Sequence, residues 1–174
     1  SGIQKNPGTY LITGGASGFG LEIARWLIGL GARSLALVSR TGSTRDGAIA
    51  FARAMRARGN DVRLLDADIA NAADVGRLVA AIAADMAPLT GIFHCAAVLD
   101  DDFSIRMDAR RMEVVMAPKI RGAINLHNAT RDLALENFVC VSSVSSIIGN
   151  TGQFNYVAAN AFLDAFAPYA NAQA

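Results

Sequence analysis

Thr9-Tyr10-Leu11-Ile12-Thr13-Gly14-Gly15-Ala16-Ser17-Gly18-Phe19-Gly20 is the stretch on which the fold of this chain turns. Thr9–Thr13 is an apolar run too short for a core helix and reads as a strand, while Gly18–Leu30 has helical period. A glycine-rich turn that follows a strand and opens a helix lets the backbone approach a pyrophosphate, and the helix N-terminus stabilises the phosphate charge. Thr13, Gly14, Gly15, Ser17, Gly18, Phe19 and Gly20 are therefore candidate cofactor-binding residues. An ordinary tight turn is the alternative.

Further along the chain the alternation continues. Ser34–Ser39, Val62–Asp66, Gly91–Cys95 and Phe138–Ser142 read as strands, and Arg45–Arg58, Ala72–Ala84, Arg106–Leu133 and Gln153–Asn171 as helices. Repeated β-α units predict an α/β fold with a parallel sheet, helices on both faces and right-handed crossovers. Pro118 is expected to bend the long fourth helix or break it at Ala117, aiming Lys119 at the site. A reader of the NAD ribose is an acid about 20 residues beyond the glycine loop. Here the second strand ends in Ser39-Arg40, and an arginine pairs with a 2′-phosphate, so the cofactor expected is NADPH rather than NADH. Asp68-Ile69 after the third strand are candidates for the adenine. Asp68 reads equally as a helix N-terminal acid. Ala96-Ala97 after the fourth strand leave room for the adenosine ribose.

A second constellation lies toward the C-terminus. Tyr156 and Asn160 are four residues apart and share one helical face, and Ser143, thirteen residues before the tyrosine, returns to the same point from a strand end. A phenol titrates near 10, so a tyrosine working as general acid near neutrality needs a nearby cation and a second hydrogen-bond donor. Lys119 and Ser143 are the candidates. The bland alternatives are a half-buried helix tyrosine, a turn serine and a solvated lysine.

The chain has 174 residues, enough for one domain with its own core. Sixteen basic and fifteen acidic residues leave a formal charge of +1, which gives no net field for nucleic acid or a membrane surface. No apolar run reaches the roughly 18 residues of a membrane helix. Ser1–Gly8 lacks the features of a signal peptide. Cys95 and Cys140 sit in apolar strand-like runs and read as buried free thiols, so a reducing, cytoplasmic setting is expected. His94 reads as a core histidine, His127 stands alone on a helix, and no cluster has metal-ligand spacing.

These blocks resemble the ketoreductase domains of modular polyketide synthases and their fatty-acid synthase relatives, within the short-chain dehydrogenase/reductase superfamily. The resemblance runs nearly end to end: TYLITGGASGFGLEIARWLIGLGARSLALVSRTG from Thr9, GIFHCAAVLDD from Gly91, APKIRGAINLH from Ala117 and FVCVSSVSSIIGNTGQFNYVAANAFLDAFA from Phe138 stand in that family's order and spacing. Single-domain relatives carry a lysine four residues after the catalytic tyrosine. Here that position is Asn160 and the lysine is Lys119, an exchange similar to that of the synthase ketoreductases.

The resemblance implies a Rossmann-like doubly wound sheet, with Tyr156 as proton donor to the reduced carbonyl and Ser143 orienting that carbonyl. It implies that Lys119 lowers the tyrosine pKa and holds the nicotinamide ribose, and that Asn160 completes the polar network. It further implies hydride transfer from NADPH to the β-keto carbon of an acyl chain on the phosphopantetheine arm of an acyl carrier protein. Leu99-Asp100-Asp101 resembles the Leu-Asp-Asp mark of B-type members, in which the acyl arm enters beside that loop. The tryptophan that marks A-type members shortly before the tyrosine is absent: Gln153-Phe154-Asn155 precede Tyr156, and the one tryptophan is Trp26. A 3R (D) alcohol is the implied product. Ser17 and Ala97 replace glycines usual in the family. Relatives continue through another strand, a substrate lid and a final strand, and are preceded by a structural reductase subdomain. Residues 1–174 are therefore expected to be a catalytic subdomain, truncated at the C-terminus, of a larger multidomain synthase. A non-catalytic reductase-like scaffold and a stand-alone short-chain dehydrogenase are the competing readings.

Overall fold

A computed structural model of the chain describes residues 8–100 and 108–172. Its centre is a five-stranded sheet in the order β3-β2-β1-β4-β5, every pair parallel. The strands are β1 Thr9–Thr13, β2 Ser34–Ser39, β3 Asp61–Asp66, β4 Leu89–His94 and β5 Asn137–Cys140. The helices are α1 Gly18–Gly29, α2 Asp46–Arg56, α3 Ala72–Asp85, α4 Ala109–Thr130, α5 Ser145–Ile148 and α6 Phe154–Asn171. A short 3-10 turn, Gly42–Thr44, leads into α2.

Alternation along the strands sorts the core into two layers. Tyr10 and Ile12 of β1 join Leu35 and Leu37 of β2 in a buried cluster with Leu21, Ala24 and Leu27 of α1 and Phe51 and Met55 of α2. Leu11, Ala36 and Val38 point the other way, into a cluster with Val75, Leu78 and Ile82 of α3 and Leu126 of α4. At the far side, α6 packs on α4 through Ala123, Leu163 and Phe166, with Phe138 and Cys140 of β5 beneath. Each fully buried aliphatic contributes roughly 1.5–3 kcal/mol, and this two-sided burial is why the strands read as apolar runs rather than strict alternations.

The sheet is laid outward from β1 to β2 and β3, then on the other side to β4 and β5. Connections after β1 and β4 thus leave in opposite directions, and a crevice opens at the strands' C-terminal ends. β1 and β2 fall where the sequence places them, and the other described boundaries shift by no more than three residues. Of the two outcomes expected at Pro118, the break at Ala117 is not found: α4 runs on through the proline. The proline forfeits one backbone bond at a cost of about 3 kcal/mol, and burial of Val115 and Ala117 before it and of Lys119, Gly122, Ala123 and Leu126 after it holds the two halves in one helix. Asp108 caps this helix, accepting from the Arg111 amide at 2.8 Å. The turn at Gly42 and the short α5 were not expected.

Candidate active site

The glycine loop leaves β1 with Gly14 at φ +68°, a conformation that L side chains avoid. A Cβ on Gly15 would lie 2.7 Å from the Ile12 carbonyl, and one on Gly20 would lie 2.4 Å from the Gly14 carbonyl. These glycines therefore let the loop fold down on the sheet and let α1 start against it. Thr13, Gly14, Ser17, Ser39, Arg40, Asp68, Ile69, Ala96 and Ala97 line a cavity of about 360 Å³ at the crevice. Nine of the predicted cofactor residues thus meet at one place. Gly15, Gly18, Phe19 and Gly20 do not line it, and the Phe19 ring is exposed.

Ser39 Oγ is buried beside this cavity without a hydrogen-bond partner. Asp66, the acid at the end of neighbouring β3, accepts from the Ser43 amide at 2.9 Å and from the Ser43 hydroxyl, which hold its carboxyl below the usual range. An orphaned hydroxyl beside Arg40 and a loop that lies close on the sheet at Gly14, Gly15 and Gly20 fit a dinucleotide. Asp68 spends one carboxylate oxygen on the Ala70 amide at 3.0 Å, so it closes its own turn as well as lining the cavity. Arg45 and Arg121 also line the cavity and escaped the sequence reading. The 3-10 turn carries Arg45 back toward Arg40, whereas Arg121 lies one turn from Ala117 on α4 and pairs with Glu113. A larger cavity of about 880 Å³, between the C-terminal halves of α4 and α6, contains none of the predicted site residues.

A hydrogen-bonded chain joins this end to the element that carries Lys119. The Ala96 amide donates to Thr13 Oγ1 at 3.3 Å, which lies 2.7 Å from His94 Nδ1, and His94 Nε2 lies 3.3 Å from the Lys119 carbonyl. A carbonyl only accepts, so the proton sits on Nε2 and Nδ1 accepts from the threonine. Burial pushes the His94 pKa down to about 4, keeping the ring neutral. His94 is thus a core histidine with both nitrogens occupied. Gly122 permits the approach of α4: a Cβ there would lie 2.8 Å from Ile69 and 3.1 Å from the His94 ring.

Lys119, one turn before Gly122, is almost wholly buried. Its Nζ donates to the Val141 carbonyl at 2.9 Å and stands 5.5 Å from the centroid of the Tyr156 ring. Burial lowers its pKa to about 8, with the Asp164 carboxylate pulling the other way. Desolvation raises the Cys95 and Cys140 thiols to about 12 and about 11, so both stay protonated near neutrality. Asn160 donates from Nδ2 to the Tyr156 carbonyl at 2.8 Å and leaves Oδ1 buried and unpartnered. Ser142 donates to the Asn160 carbonyl at 3.3 Å. Lys119, Tyr156 and Asn160 therefore converge from α4 and α6, with Ser143 held at the end of β5 by the turn that starts α5.

Leu99 is exposed, and Asp100 is tied down from two sides. Arg111 of α4 reaches it from Nε at 3.2 Å, and Asn155 Nδ2 donates to its carbonyl at 2.9 Å. Asn155 Oδ1 in turn accepts from the Tyr156 amide at 2.8 Å. The sequence reading did not single out Asn155 or Arg111, and the full burial of Asn155 becomes visible only in the structure. Asp101 lies outside the described residues. Gln153 stands just before α6 and accepts from Asn150 Nδ2 at 2.7 Å. Among the described residues, no three His, Cys, Asp or Glu side chains form a metal-binding group, and no helix is long and apolar enough to cross a membrane.

Comparison with known proteins gives a consistent result. A family model described as "KR domain" matches residues 8–174. Polyketide synthase GfsB of Streptomyces halstedii is 44% identical over 165 residues, which is 95% of this chain and 3% of that synthase. Among solved structures, the first ketoreductase of the tylosin polyketide synthase aligns with a TM-score of 0.86 at 39% identity, over 95% of this chain and 36% of its own. An N-terminal ketoreductase from the macrolactin assembly line aligns at 0.89 and 32% identity, over 100% of this chain and 36% of its own. The present chain thus spans a small part of these synthases and about a third of these ketoreductase structures.

Proposed function

The chain belongs to the KR domain family of polyketide synthase ketoreductases, and from that premise we propose that it is the catalytic subdomain of an NADPH-dependent reductase within a larger synthase. Its substrate is a β-ketoacyl thioester on the phosphopantetheine arm of an acyl carrier protein, reduced to the β-hydroxyacyl thioester. The observation that carries this reading is the buried Lys119 ammonium 5.5 Å from the Tyr156 ring, in a site whose far end is a glycine-loop cavity.

Arg40 and Ser39 would hold the 2′-phosphate, Gly14 and Ser17 the pyrophosphate, Asp68 and Ile69 the adenine, and Ala96 and Ala97 the adenosine ribose. NADPH supplies the hydride when bound. The chain's own work is protonation and orientation. Tyr156 gives its phenolic proton to the oxygen of the carbonyl under reduction, and Ser143 donates a hydrogen bond to that same oxygen. The Lys119 cation stabilises the phenolate left behind. Asn160 fixes the helical turn that carries the tyrosine.

The B-type outcome rests on Leu99-Asp100, held beside the start of α6 by Arg111 and Asn155. A loop fixed there constrains the side from which the acyl arm enters, and a 3R alcohol is expected from an unbranched substrate. The test is NADPH consumption with a β-ketoacyl thioester surrogate, followed by chiral analysis of the alcohol. A predominantly 3S product overturns the B-type assignment, and no consumption by the intact synthase domain overturns the reductase reading.

A further inference from the structure

A serine hydroxyl has one proton and two lone pairs, and a hydroxyl that must donate to a substrate works best when its lone pairs are filled by the protein. Ser143 meets this condition through a single neighbour. The Ser145 amide donates to Ser143 Oγ at 3.2 Å, and Ser145 Oγ lies 2.9 Å from the same atom. Ser143-Val144-Ser145 is a turn in which a side-chain oxygen accepts from the amide two residues on. Ser146 anchors the backbone of that turn. Its hydroxyl lies 2.7 Å from the Ser143 carbonyl and 2.6 Å from Asp164 Oδ2 on α6, the helix that carries Tyr156. Ser145 is buried, and among the described residues its hydroxyl makes no competing hydrogen bond.

We propose that Ser145 is a positioning residue for the reduction: its hydroxyl donates to Ser143 Oγ and thereby directs the Ser143 proton to the carbonyl oxygen of the substrate. This rests on the reductase reading above. A carbonyl can only accept, so when Ser143 donates to it the shared proton between the two serines belongs to Ser145. The two hydroxyls then form a short relay in which each donation strengthens the next. Without the Ser145 hydroxyl, one lone pair of Ser143 is empty, and the side chain is free to rotate its proton away from the substrate.

The relay predicts a specific non-additivity. In an active synthase domain containing these residues, Ser145→Ala lowers kcat by about five- to twenty-fold, with NADPH affinity, read by cofactor fluorescence, within two-fold of the parent. In a Ser143→Ala background, Ser145→Ala adds less than two-fold. Ser145→Cys, a weaker donor of similar size, falls between serine and alanine and serves as the second variant if Ser145→Ala folds poorly. An unchanged kcat in Ser145→Ala, or an equal loss in both backgrounds, overturns the proposal, because a role confined to packing of the turn persists when the Ser143 hydroxyl is gone. If the parent reduces no β-keto thioester although it binds NADPH, the reductase reading falls and takes this inference with it.

Discussion

The glycine-loop end and the tyrosine end of the crevice are built on opposite plans. At the glycine loop, the proposed function is carried first by backbone, Gly14 at φ +68° with Gly15 and Gly20 packed where a Cβ would strike a carbonyl, and the ends of the neighbouring strands complete the lining. At the tyrosine end it is carried by side chains from three separate places in the chain: Lys119 on α4, Ser143 after β5, and Tyr156 with Asn160 on α6. The first end is a cavity walled by the glycine loop, the ends of its neighbouring strands and α4. Beside the second, Val144, Ile147, Ile148 and Phe154 are all exposed, with Ile147 at 83%. A backbone cradle for a fixed ligand can be local, whereas a proton-transfer site must be assembled by the tertiary fold and left open to a substrate.

The comparison is broken most sharply at its reactive atom. Tyr156→Phe removes the proton and leaves the cofactor cavity untouched, because Tyr156 does not line it. Reduction is expected to fall by about 10³-fold or more, with NADPH affinity within a few fold. Steady-state turnover beside a fluorescence titration checks both, and retained turnover removes Tyr156 from its role.

The joint between the two ends is the next target. His94 sits between Thr13 of the loop and the Lys119 carbonyl, and burial holds its pKa near 4 against an ordinary 6.5. Between those values the unfolded chain takes up a proton that the folded chain refuses. Stability is therefore full above pH 6.5 and declines by about 3 kcal/mol as pH falls toward 4. Urea unfolding across that range measures the slope. His94→Gln should flatten it, and an unchanged slope assigns the acid sensitivity to carboxylates instead.

Legibility in the sequence followed the same division. The strand, loop and helix from Thr9 to Gly29 could be read in place, because period and glycine spacing are local. Lys119, Ser143 and Tyr156 could be nominated as chemistry, but no period states that α4 brings residue 119 under residue 156. The break that a local rule allowed at Pro118 is not found, because burial on both sides of the proline holds the helix together. Ser145, Asn155 and Arg111 went unnoticed for a related reason: each acts by touching another site residue, and such contacts exist only once the turn after β5 and the Asp100 loop are in place.

Arg40 tests the glycine-loop end alone. It lines the cavity next to the unpartnered Ser39 hydroxyl, and a charge-assisted contact to a 2′-phosphate is worth about 2 kcal/mol. Arg40→Ala should raise the KM for NADPH by about tenfold or more and leave that for NADH nearly unchanged. Equal effects on both would give the arginine a different task.

The smallest effect sharpens the comparison by placing one substitution on two backbones. Gly18 opens α1 at φ +50°, and Gly76 lies exposed in the interior of α3 with no positive φ; neither has an atom within 4 Å of where a Cβ would stand. Sterics with neighbours are therefore equal, and only conformation differs. Gly18→Ala forces an alanine into the left-handed region and should cost about 1 kcal/mol. Gly76→Ala restricts the unfolded chain, suits a helix interior and should stabilise by about 0.5–1 kcal/mol. Opposite shifts in the urea midpoint are expected. Shifts of the same sign would mean that the turn at Gly18 relaxes around an alanine, and that the loop's conformation is less rigidly set by glycine than the packing of Gly15 and Gly20 implies.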